Sequence, residues 1–246
     1  MRTIAVLPAR YASSRFPGKP LAIIAGKTMI QRCYESTCKC ADFADVIVAT
    51  DDERILNHVR SFGGHAVMTS PNHPTGTDRI AEAIQGIEAD LIVNVQGDEP
   101  LMSAEVLHEL VIAMRTSGAD MGTAAVPFTY LDGVDPANPN NVKVVVDRRG
   151  FALYFSRSLI PFPREGGTPI APMLHWGLYA YKRDFLEAFV KSPQGELEAC
   201  EKLEQLRALE NGASIMVIKA KERSVGVDTP EDLVIVEKII AELNID

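Results

Sequence analysis

The sequence predicts an α/β protein built on a doubly wound, mixed but mainly parallel sheet, with a smaller strand-rich lobe. Short β-rich runs alternate with helix-period stretches in the first half of the chain, as expected for parallel strands joined by crossover helices. Over residues 122–181 strands dominate, and the loops DPANPNN and PFPREGGTP are rich in turn-forming residues. We therefore expect one α/β domain over residues 1–246, with a smaller lobe inserted at about 122–195.

Each element has its own sequence signal. The strand candidates, in chain order, are TIAVLPA, DVIVAT, HAVMTS, LIVNVQ, GTAAVPF, NVKVVVD, WGLYAYK, SIMVIKA and RSVGVD. Thr50 and Glu53 are spaced as a capping box that would open the helix DERILNHVRSF. Ser103 can cap AEVLHELVIAMR, and Thr229 followed by Pro230 is typical of a helix start. Helices between successive strands are what parallel pairing requires.

Composition narrows the class of protein. A chain of 246 residues that is 46% hydrophobic can bury a sizeable core. The sequence contains no run of eighteen apolar residues and therefore predicts no membrane span. The apolar segment in MRTIAVLPAR is too short for a signal peptide. We therefore expect a cytoplasmic protein that neither spans nor binds a membrane. The net charge of −8 argues against nucleic acid as a partner. The cysteines are expected to be reduced and mostly buried rather than a metal site; they are Cys33, Cys38, Cys40 and Cys200.

Positive charge is concentrated at the N-terminus of this acidic chain. Residues 1–34 hold six lysines and arginines and no acidic residue. Arg10, Arg15 and Lys19 lie in PARYASSRFPGKPL, directly after the first strand. Guanidinium and ammonium groups beside small residues suit a phosphorylated small molecule. The nearby AGKT is not the end of a P-loop, because that motif requires a glycine where this chain has Leu21.

Carboxylates follow three other strands. Asp98 lies in QGDEP after LIVNV, Asp228 lies in GVDTPEDL after RSVGV, and Asp51 follows DVIVAT. The carboxyl ends of parallel strands share one edge of a sheet, where ligands bind. Asp98 and Asp228 would therefore form a two-carboxylate Mg²⁺ site. For Asp98, the alternative is a turn aspartate that caps nearby backbone amides. HPTGTDR leaves a similar choice between a nucleotide-binding turn and a plain capped helix start.

The second half of the chain offers weaker signals. Taken alone, Arg157 in LYFSR is a surface arginine and His175 in LHWGLYAY is a structural histidine, with Trp176 buried on the other face. Glu198, Glu201 and Gln205 share one stripe of a helix, whose default interpretation is a solvated face. As a set, these groups could hold a polyhydroxy acid.

The motifs PARYASSRFPGKPL, VATDD, TGTDR, VNVQGDEP, ALYFSR, KLEQLRALE and GVDTPEDL occur in the same order along nearly the whole chain. Together they resemble the 3-deoxy-manno-octulosonate (Kdo) cytidylyltransferases. The resemblance implies a nucleotide-diphosphosugar-transferase-like fold and a homodimer formed through the smaller lobe. It also implies a Mg²⁺-dependent reaction in which CTP and Kdo give CMP-Kdo and pyrophosphate for lipopolysaccharide synthesis.

The resemblance also implies roles for individual residues. The triphosphate would be held by Arg10, Arg15 and Lys19. The cytidine-binding site would be lined by Ala49, Thr50, Asp51, Ser70, Gly76 and Arg79. Gln96 would lie between the nucleotide and the sugar. Mg²⁺ would be bound by Asp98 and Asp228, which together with Lys19 would be catalytic. Kdo would be recognised by Gln96, Arg157, His175, Tyr179, Glu201 and Gln205. Arg157 would be the partner of the sugar carboxylate.

The sequence leaves alternatives to this function. In one alternative the sugar is 8-amino-Kdo, because Trp176, Gly195 and Ala199 depart from the expected pattern beside the sugar pocket. In another, the same reaction acts on a different α-keto acid sugar such as sialic acid. A non-catalytic nucleotide-binding regulator would use the same scaffold, although the presence of both Asp98 and Asp228 argues against it.

Overall fold

The computed structural model describes residues 1–12, 16–131, 133–162, 164, 172–221 and 224–243. The chain forms two compact units, the first from residues 1–108 and 224–246 and the second from residues 109–223. The segment expected to form a smaller lobe, about 122–195, lies in the second unit. None of the helices in the described ranges is both long enough and apolar enough to cross a bilayer.

The elements follow one another as strands and helices along the chain. Up to the division between the units they are β1 (Thr3–Ala9), β2 (Ile23–Ile24), β3 (Lys27–Thr28), α1 (Met29–Cys38), β4 (Phe43–Thr50), α2 (Glu53–Ser61), β5 (His65–Met68), α3 (Gly76–Ala83), β6 (Leu91–Asn94) and α4 (Ala104–Ser117), within which the division falls. Beyond it come β7 (Met121–Pro127), β8 (Lys143–Val146), β9 (Ala152–Ser156), β10 (Met173–Lys182), α5 (Arg183–Phe189), α6 (Glu196–Glu201), α7 (Gln205–Glu210), β11 (Ile215–Lys219) and α8 (Pro230–Leu243).

The first unit contains a parallel sheet in the order β6–β1–β4–β5. Residues 4–7 of β1 are buried, as are residues 46–50 of β4 and 91–94 of β6. Strands buried on both faces read as continuous apolar runs, which is why TIAVL and LIV predicted this sheet. The α/β class expected from the sequence is confirmed.

The AGKT stretch belongs to a small hairpin: its first two residues form the turn after β2, and its last two are β3. Ala25 and Gly26 have φ of 45° and 83°, the left-handed pair that a two-residue hairpin turn requires. The guanidinium of the buried Arg32 donates to the carbonyls of Ile24 and Ala25, both at 2.6 Å. The stretch is therefore a β-hairpin turn whose carbonyls bind Arg32, not a phosphate-binding loop. The rejection of a P-loop is confirmed.

One predicted helix start is wrong by two residues. The N-cap of α2 is Asp52, whose Oδ1 accepts the Arg54 amide at 2.9 Å. Thr50 instead remains in β4, paired with Ala9 of β1. Pairing in the sheet extends the strand through the residue that resembled a cap. At α4 the prediction is confirmed, because Ser103 Oγ accepts from the Val106 amide at 3.4 Å.

The second unit contains strands of both orientations. β7 pairs antiparallel with β10 and parallel with β11, and β8 lies antiparallel to both β10 and β9. Trp176 on β10 is buried and His175 is partly exposed, as the alternation predicted. A buried ion pair joins α6 to α7, with Arg207 Nε 2.8 Å from Glu198 Oε2 and Nη2 3.0 Å from Oε1. This pair fixes the two short helices that carry Glu201 and Gln205.

Candidate active site

The two aspartates predicted to share a metal ion lie around one ammonium group in the first unit. Lys19 Nζ is 2.7 Å from Asp98 Oδ2 and 3.7 Å from Asp228 Oδ1. It also donates to the carbonyl of Val227 at 2.9 Å. The turn after β6, the segment before α8 and the loop after β1 therefore meet at one point.

Backbone contacts explain why the turn after β6 lies here. Gly97 packs so closely on β1 that an added Cβ would lie 2.8 Å from the Pro8 carbonyl oxygen. Only glycine leaves room for that approach. The amide of Val227 then donates to the carbonyl of Asp98 at 2.9 Å. Asp98 and Asp228 are thus brought together by main-chain contacts as well as by the lysine.

A third aspartate orients the segment that carries Asp228. Asp232 Oδ2, in the first turn of α8, accepts the amides of Asp228 and Thr229, both at 2.8 Å. These amide hydrogen bonds, that of Asp228 first, hold the pKa of Asp232 below its usual value. Helix α8 begins at Pro230, as Thr229 and Pro230 predicted. Asp232 holds the two amides before it, and the Asp228 carboxylate lies beside Lys19.

The donor chemistry of this site fits Mg²⁺. Two carboxylates, with water and substrate phosphates, are the ligand set that Mg²⁺ prefers. In the part of the chain that the structure describes, no cluster of three or more His, Cys, Asp or Glu side chains could hold a metal ion. No disulfide joins the four cysteines, which are all among the described residues: Cys33 and Cys40 are buried, and Cys38 and Cys200 are exposed. Only two of the four are thus buried.

Arg10 lies after β1 and is held by the loop between β5 and α3. Its Nη2 donates to the carbonyl of His73 at 2.6 Å. The His73 ring contacts Glu82 Oε2, which also accepts the Ser70 amide at 2.9 Å. The Ser70 amide, more than His73, lowers the pKa of Glu82. Glu82 therefore contacts both Ser70 and His73, the residue whose carbonyl holds Arg10. Arg15, the other arginine predicted to bind the triphosphate, lies outside the described residues.

Arg79 is fully buried and forms an ion pair. Its Nη2 lies 2.8 Å from Asp51 Oδ2, and its Nη1 donates to Thr69 Oγ1 at 2.5 Å. The guanidinium thus joins α3 to the ends of β4 and β5. Both Asp51 and Arg79, which were predicted to line the cytidine, have this structural contact.

The remaining predicted cytidine residues lie at the ends of β4 and β6 and at the start of α3. Ala49 and Thr50 are buried at the end of β4. Gly76 is the first residue of α3 and follows Thr75, which forms a capping box with Asp78. Gln96 follows β6 and its carbonyl accepts the Glu99 amide at 3.3 Å.

In the second unit, Arg157 and Glu201 form one group. Glu201 Oε2 accepts the Arg157 amide at 2.8 Å, and Oε1 accepts the Ser156 hydroxyl at 2.6 Å. The Arg157 Nε donates to the carbonyl of Glu201 at 2.7 Å, and its Nη1 donates to the Pro139 carbonyl at 3.1 Å. Glu201 therefore holds Arg157 in place through both its carboxylate and its main chain.

His175, Tyr179 and Gln205 form a second group in the same unit. His175 Nε2 is 3.0 Å from Thr123 Oγ1, and its ring lies 5.5 Å from that of Tyr179. The Tyr179 hydroxyl donates to Gln205 Oε1 at 3.3 Å, and burial raises the pKa of this phenol. Gln205 is 3% exposed, and no acceptor in the described ranges reaches its Nε2. The solvated-face interpretation of this helical stripe is therefore wrong, since Glu198 is buried as well.

Sequence reasoning missed three residues of these groups. His73 begins the motif HPTGTDR but was given no role, and Glu82 lies outside every motif. Their contact depends on the fold of the β5–α3 loop. Lys143, the first residue of β8, is buried beside Arg157. Its position inside the apolar run NVKVVVD was the available signal, because a lysine alternating with valines in a strand is expected on a defined face.

Comparison with known proteins identifies the class. A family model described as cytidylyltransferase matches residues 4–218, and the chain belongs to that family. It is similar to the 3-deoxy-manno-octulosonate cytidylyltransferase of Syntrophotalea carbinolica, with 54% identity over 96% of this chain and 98% of the relative. The enzyme of the same name from Geobacter sulfurreducens is 48% identical over 99% of this chain and 100% of the relative. The resemblance predicted from the motifs is confirmed.

A solved structure agrees with these relatives. CMP:2-keto-3-deoxy-manno-octonic acid synthetase complexed with CTP is 41% identical, covers 99% of this chain and 100% of its own, and superposes with a TM-score of 0.93. The 4-diphosphocytidyl-2C-methyl-D-erythritol synthase of Anaerococcus prevotii is 13% identical, covers 98% of this chain and 99% of its own, and has a TM-score of 0.65. The latter shares the fold only.

Proposed function

We propose that this cytidylyltransferase transfers CMP from CTP to the anomeric hydroxyl of Kdo, giving CMP-Kdo and pyrophosphate for lipopolysaccharide synthesis. One observation carries the proposal: the whole chain is similar in sequence and structure to a CMP-Kdo synthetase complexed with CTP. The two carboxylates around Lys19 support the same chemistry. A purely regulatory role has no observation in its favour.

The basic residues of the first unit would bind the triphosphate. Lys19, Arg10 and Arg15 would neutralise the charge that develops on pyrophosphate as it leaves. Lys19 would exchange its contact with Asp98 for one with a phosphate oxygen. In-line attack at the α-phosphorus depends mainly on positioning and charge neutralisation. Ala49, Thr50, Asp51, Ser70, Gly76 and Arg79 would hold the cytidine at the ends of β4 and β5, with Gln96 towards the sugar.

Asp98 and Asp228 would bind Mg²⁺. When bound, the ion would supply Lewis-acid stabilisation of phosphate charge and favour ionisation of the attacking hydroxyl. The convergence of both carboxylates on one cation supports this assignment. Asp232 would contribute by holding the amides of Asp228 and Thr229.

The second unit would bind the sugar. Arg157 would pair with the Kdo carboxylate, because a guanidinium matches a carboxylate with two parallel hydrogen bonds. Glu201 would keep Arg157 in place. Gln205 would offer its buried Nε2 to a sugar hydroxyl, which would satisfy a donor that otherwise lacks a partner. His175 and Tyr179 would complete the polar lining.

Pyrophosphate release is the test of this function. The protein is incubated with CTP, Mg²⁺ and, separately, Kdo, 8-amino-Kdo or sialic acid, and CMP-sugar formation is measured alongside. We expect turnover with Kdo and little with sialic acid. Preference for 8-amino-Kdo or sialic acid would reassign the substrate, and binding of CTP without release with any sugar would contradict the proposal.

We further propose that the protein acts in the cytoplasm, where CTP is made, as a homodimer. Support for the dimer comes from large apolar side chains exposed in the second unit: Phe162 is 82% exposed, and Leu153 and Leu159 are also exposed. Exposed apolar patches mark interaction surfaces. Light scattering after gel filtration should give twice the mass of the 26.9 kDa chain. A Phe162→Asp variant should shift it toward the monomer, and a monomeric parent would contradict the assignment.

A further inference from the structure

Lys143 is a fully buried cation in the second unit. As the first residue of β8 it lies opposite Ser156 of β9 and Leu174 of β10, and it is 0% exposed. A buried ammonium is costly unless hydrogen bonds replace its water. Its Nζ donates to the carbonyl of Arg157 and, at 3.3 Å, to the carbonyl of Asn138.

These two contacts act on both sides of one arginine. The Arg157 amide is held by the Glu201 carboxylate at 2.8 Å, and its carbonyl is held by the Lys143 ammonium. The guanidinium Nη1 donates to Pro139, the neighbour of Asn138. Lys143 thus contacts the main chain of Arg157 and also the short loop against which the guanidinium rests.

Two carboxylates partly offset the cost of burying this ammonium. Burial lowers the pKa of Lys143, whereas the negative charges of Glu201 and Asp135 act in the opposite direction. The nearby guanidinium of Arg157 adds to the effect of burial. Lys143 and Glu201 thus both support Arg157, one at its carbonyl and the other at its amide.

We propose that Lys143 is a positioning residue for the sugar-carboxylate subsite: its ammonium fixes the main chain of Arg157 and the Asn138–Pro139 loop, so that the guanidinium is preorganised for an α-keto acid. The proposal rests on the proposed function, in which Arg157 binds the Kdo carboxylate. Lys143 itself does not contact the reacting atoms. Preorganisation of this kind acts on sugar affinity and leaves nucleotide affinity unchanged.

Steady-state kinetics with the Lys143→Met variant test the proposal. Methionine keeps a chain of similar length without the charge or the donors. We expect the KM for Kdo to rise about tenfold, which corresponds to the loss of one well-placed interaction, while the KM for CTP stays within about twofold. The matched control is Lys191→Met, because Lys191 is an exposed lysine of the same unit. It should leave both constants unchanged.

A double-mutant cycle distinguishes positioning from a general structural effect. If Lys143 acts through Arg157, Lys143→Met should change the KM for Kdo by less than about twofold once Arg157→Ala is present. Additive effects, an equal rise in both KM values, or a wild-type KM for Kdo in Lys143→Met would overturn the proposal.

Two further measurements keep the result interpretable. If Lys143→Met does not fold, as judged by circular dichroism, Lys143→Arg keeps the charge and should keep the KM for Kdo within about fivefold. A folded Lys143→Arg protein with a KM raised as in Arg157→Ala would also overturn the proposal. Lack of turnover by the parent protein with Kdo and CTP would instead contradict the proposed function, so the two failures are distinguishable.

Discussion

Lys19 Nζ lies 2.7 Å from Asp98 Oδ2, although 79 residues separate them in the chain. The lysine is thus already paired with a carboxylate that we assign to Mg²⁺. Binding of the nucleotide would transfer the lysine to phosphate and the carboxylate to the metal. Both groups exchange one charged partner for another, so neither has to become unpaired in a partly buried site.

Replacing Asp98 by Asn should reduce turnover by about 100-fold or more without unfolding the protein. The amide lacks the charge that Mg²⁺ requires, and removing one electrostatic element of a transferase site has effects of this size. Pyrophosphate release at saturating Mg²⁺ measures the loss. Asp184→Asn, at an exposed position of α5, is the control. Near-normal turnover of Asp98→Asn would remove Asp98 from the catalytic site.

Replacing Arg157 by Ala should raise the KM for Kdo by about 10- to 100-fold, because a bidentate charged contact is lost. The KM for CTP should change much less. Varying each substrate in turn separates the two constants. Arg149→Ala serves as the control, since Arg149 pairs locally with Asp147 and its side chain is 78% exposed. A larger effect on CTP than on Kdo would refute the role of Arg157.

Replacing Arg79 by Met should lower the free energy of unfolding by about 3–5 kcal/mol, because Asp51 would be left with a poorly solvated charge. Asp51→Asn in the same protein should recover part of the loss. The chain offers a matched pair for comparison: Arg54 binds Asp52 with its own side chain 59% exposed. Arg54→Met should cost much less, because an exposed ion pair contributes little to stability. Urea denaturation measures all three, and equal losses at the two arginines would contradict this account.

Asp232 should make stability depend on pH in the acid range. Its pKa is lower in the folded protein than in the unfolded chain, so its contribution is complete above the unfolded value of about 3.9 and is lost as the pH falls through the folded value. Asp232→Asn should therefore be less stable than the parent by about 0.5–1 kcal/mol at pH 7, and the difference should shrink in acid. Urea denaturation at several pH values tests this, with Glu231→Gln as the control. A difference that grows below pH 4 would have the wrong sign.

The parallel sheet was predictable because its signal is local. Runs such as TIAVL and LIVNV are buried on both faces and therefore read as continuous apolar segments. The meeting of Asp98 and Asp228 was predicted on a premise that is partly wrong. Asp98 does follow β6, but RSVGVD, predicted as a strand, forms none over its described residues 224–228. The Val227 amide, which donates to the carbonyl of Asp98, places Asp228 beside it instead. The roles of these residues in binding stay predictions.

Other features depend on tertiary contacts and could not be predicted. Thr50 and Asp52 are both acceptable N-caps, and only pairing with β1 decides between them. The partner of Arg79 is fixed by the packing of α3 on β4 and β5. Lys143 was missed because a strand pattern predicts a face but not which carbonyl oxygens lie across it.

The order of the segments along the chain has a consequence for synthesis of the protein. The first unit is completed by residues 224–246, after the whole second unit. A nascent chain on the ribosome therefore carries Lys19 and Asp98 long before Asp228 has been translated. A polypeptide released early by a premature stop codon would lack one acidic residue of the pair, so truncated products of translation are expected to be inert rather than partially active.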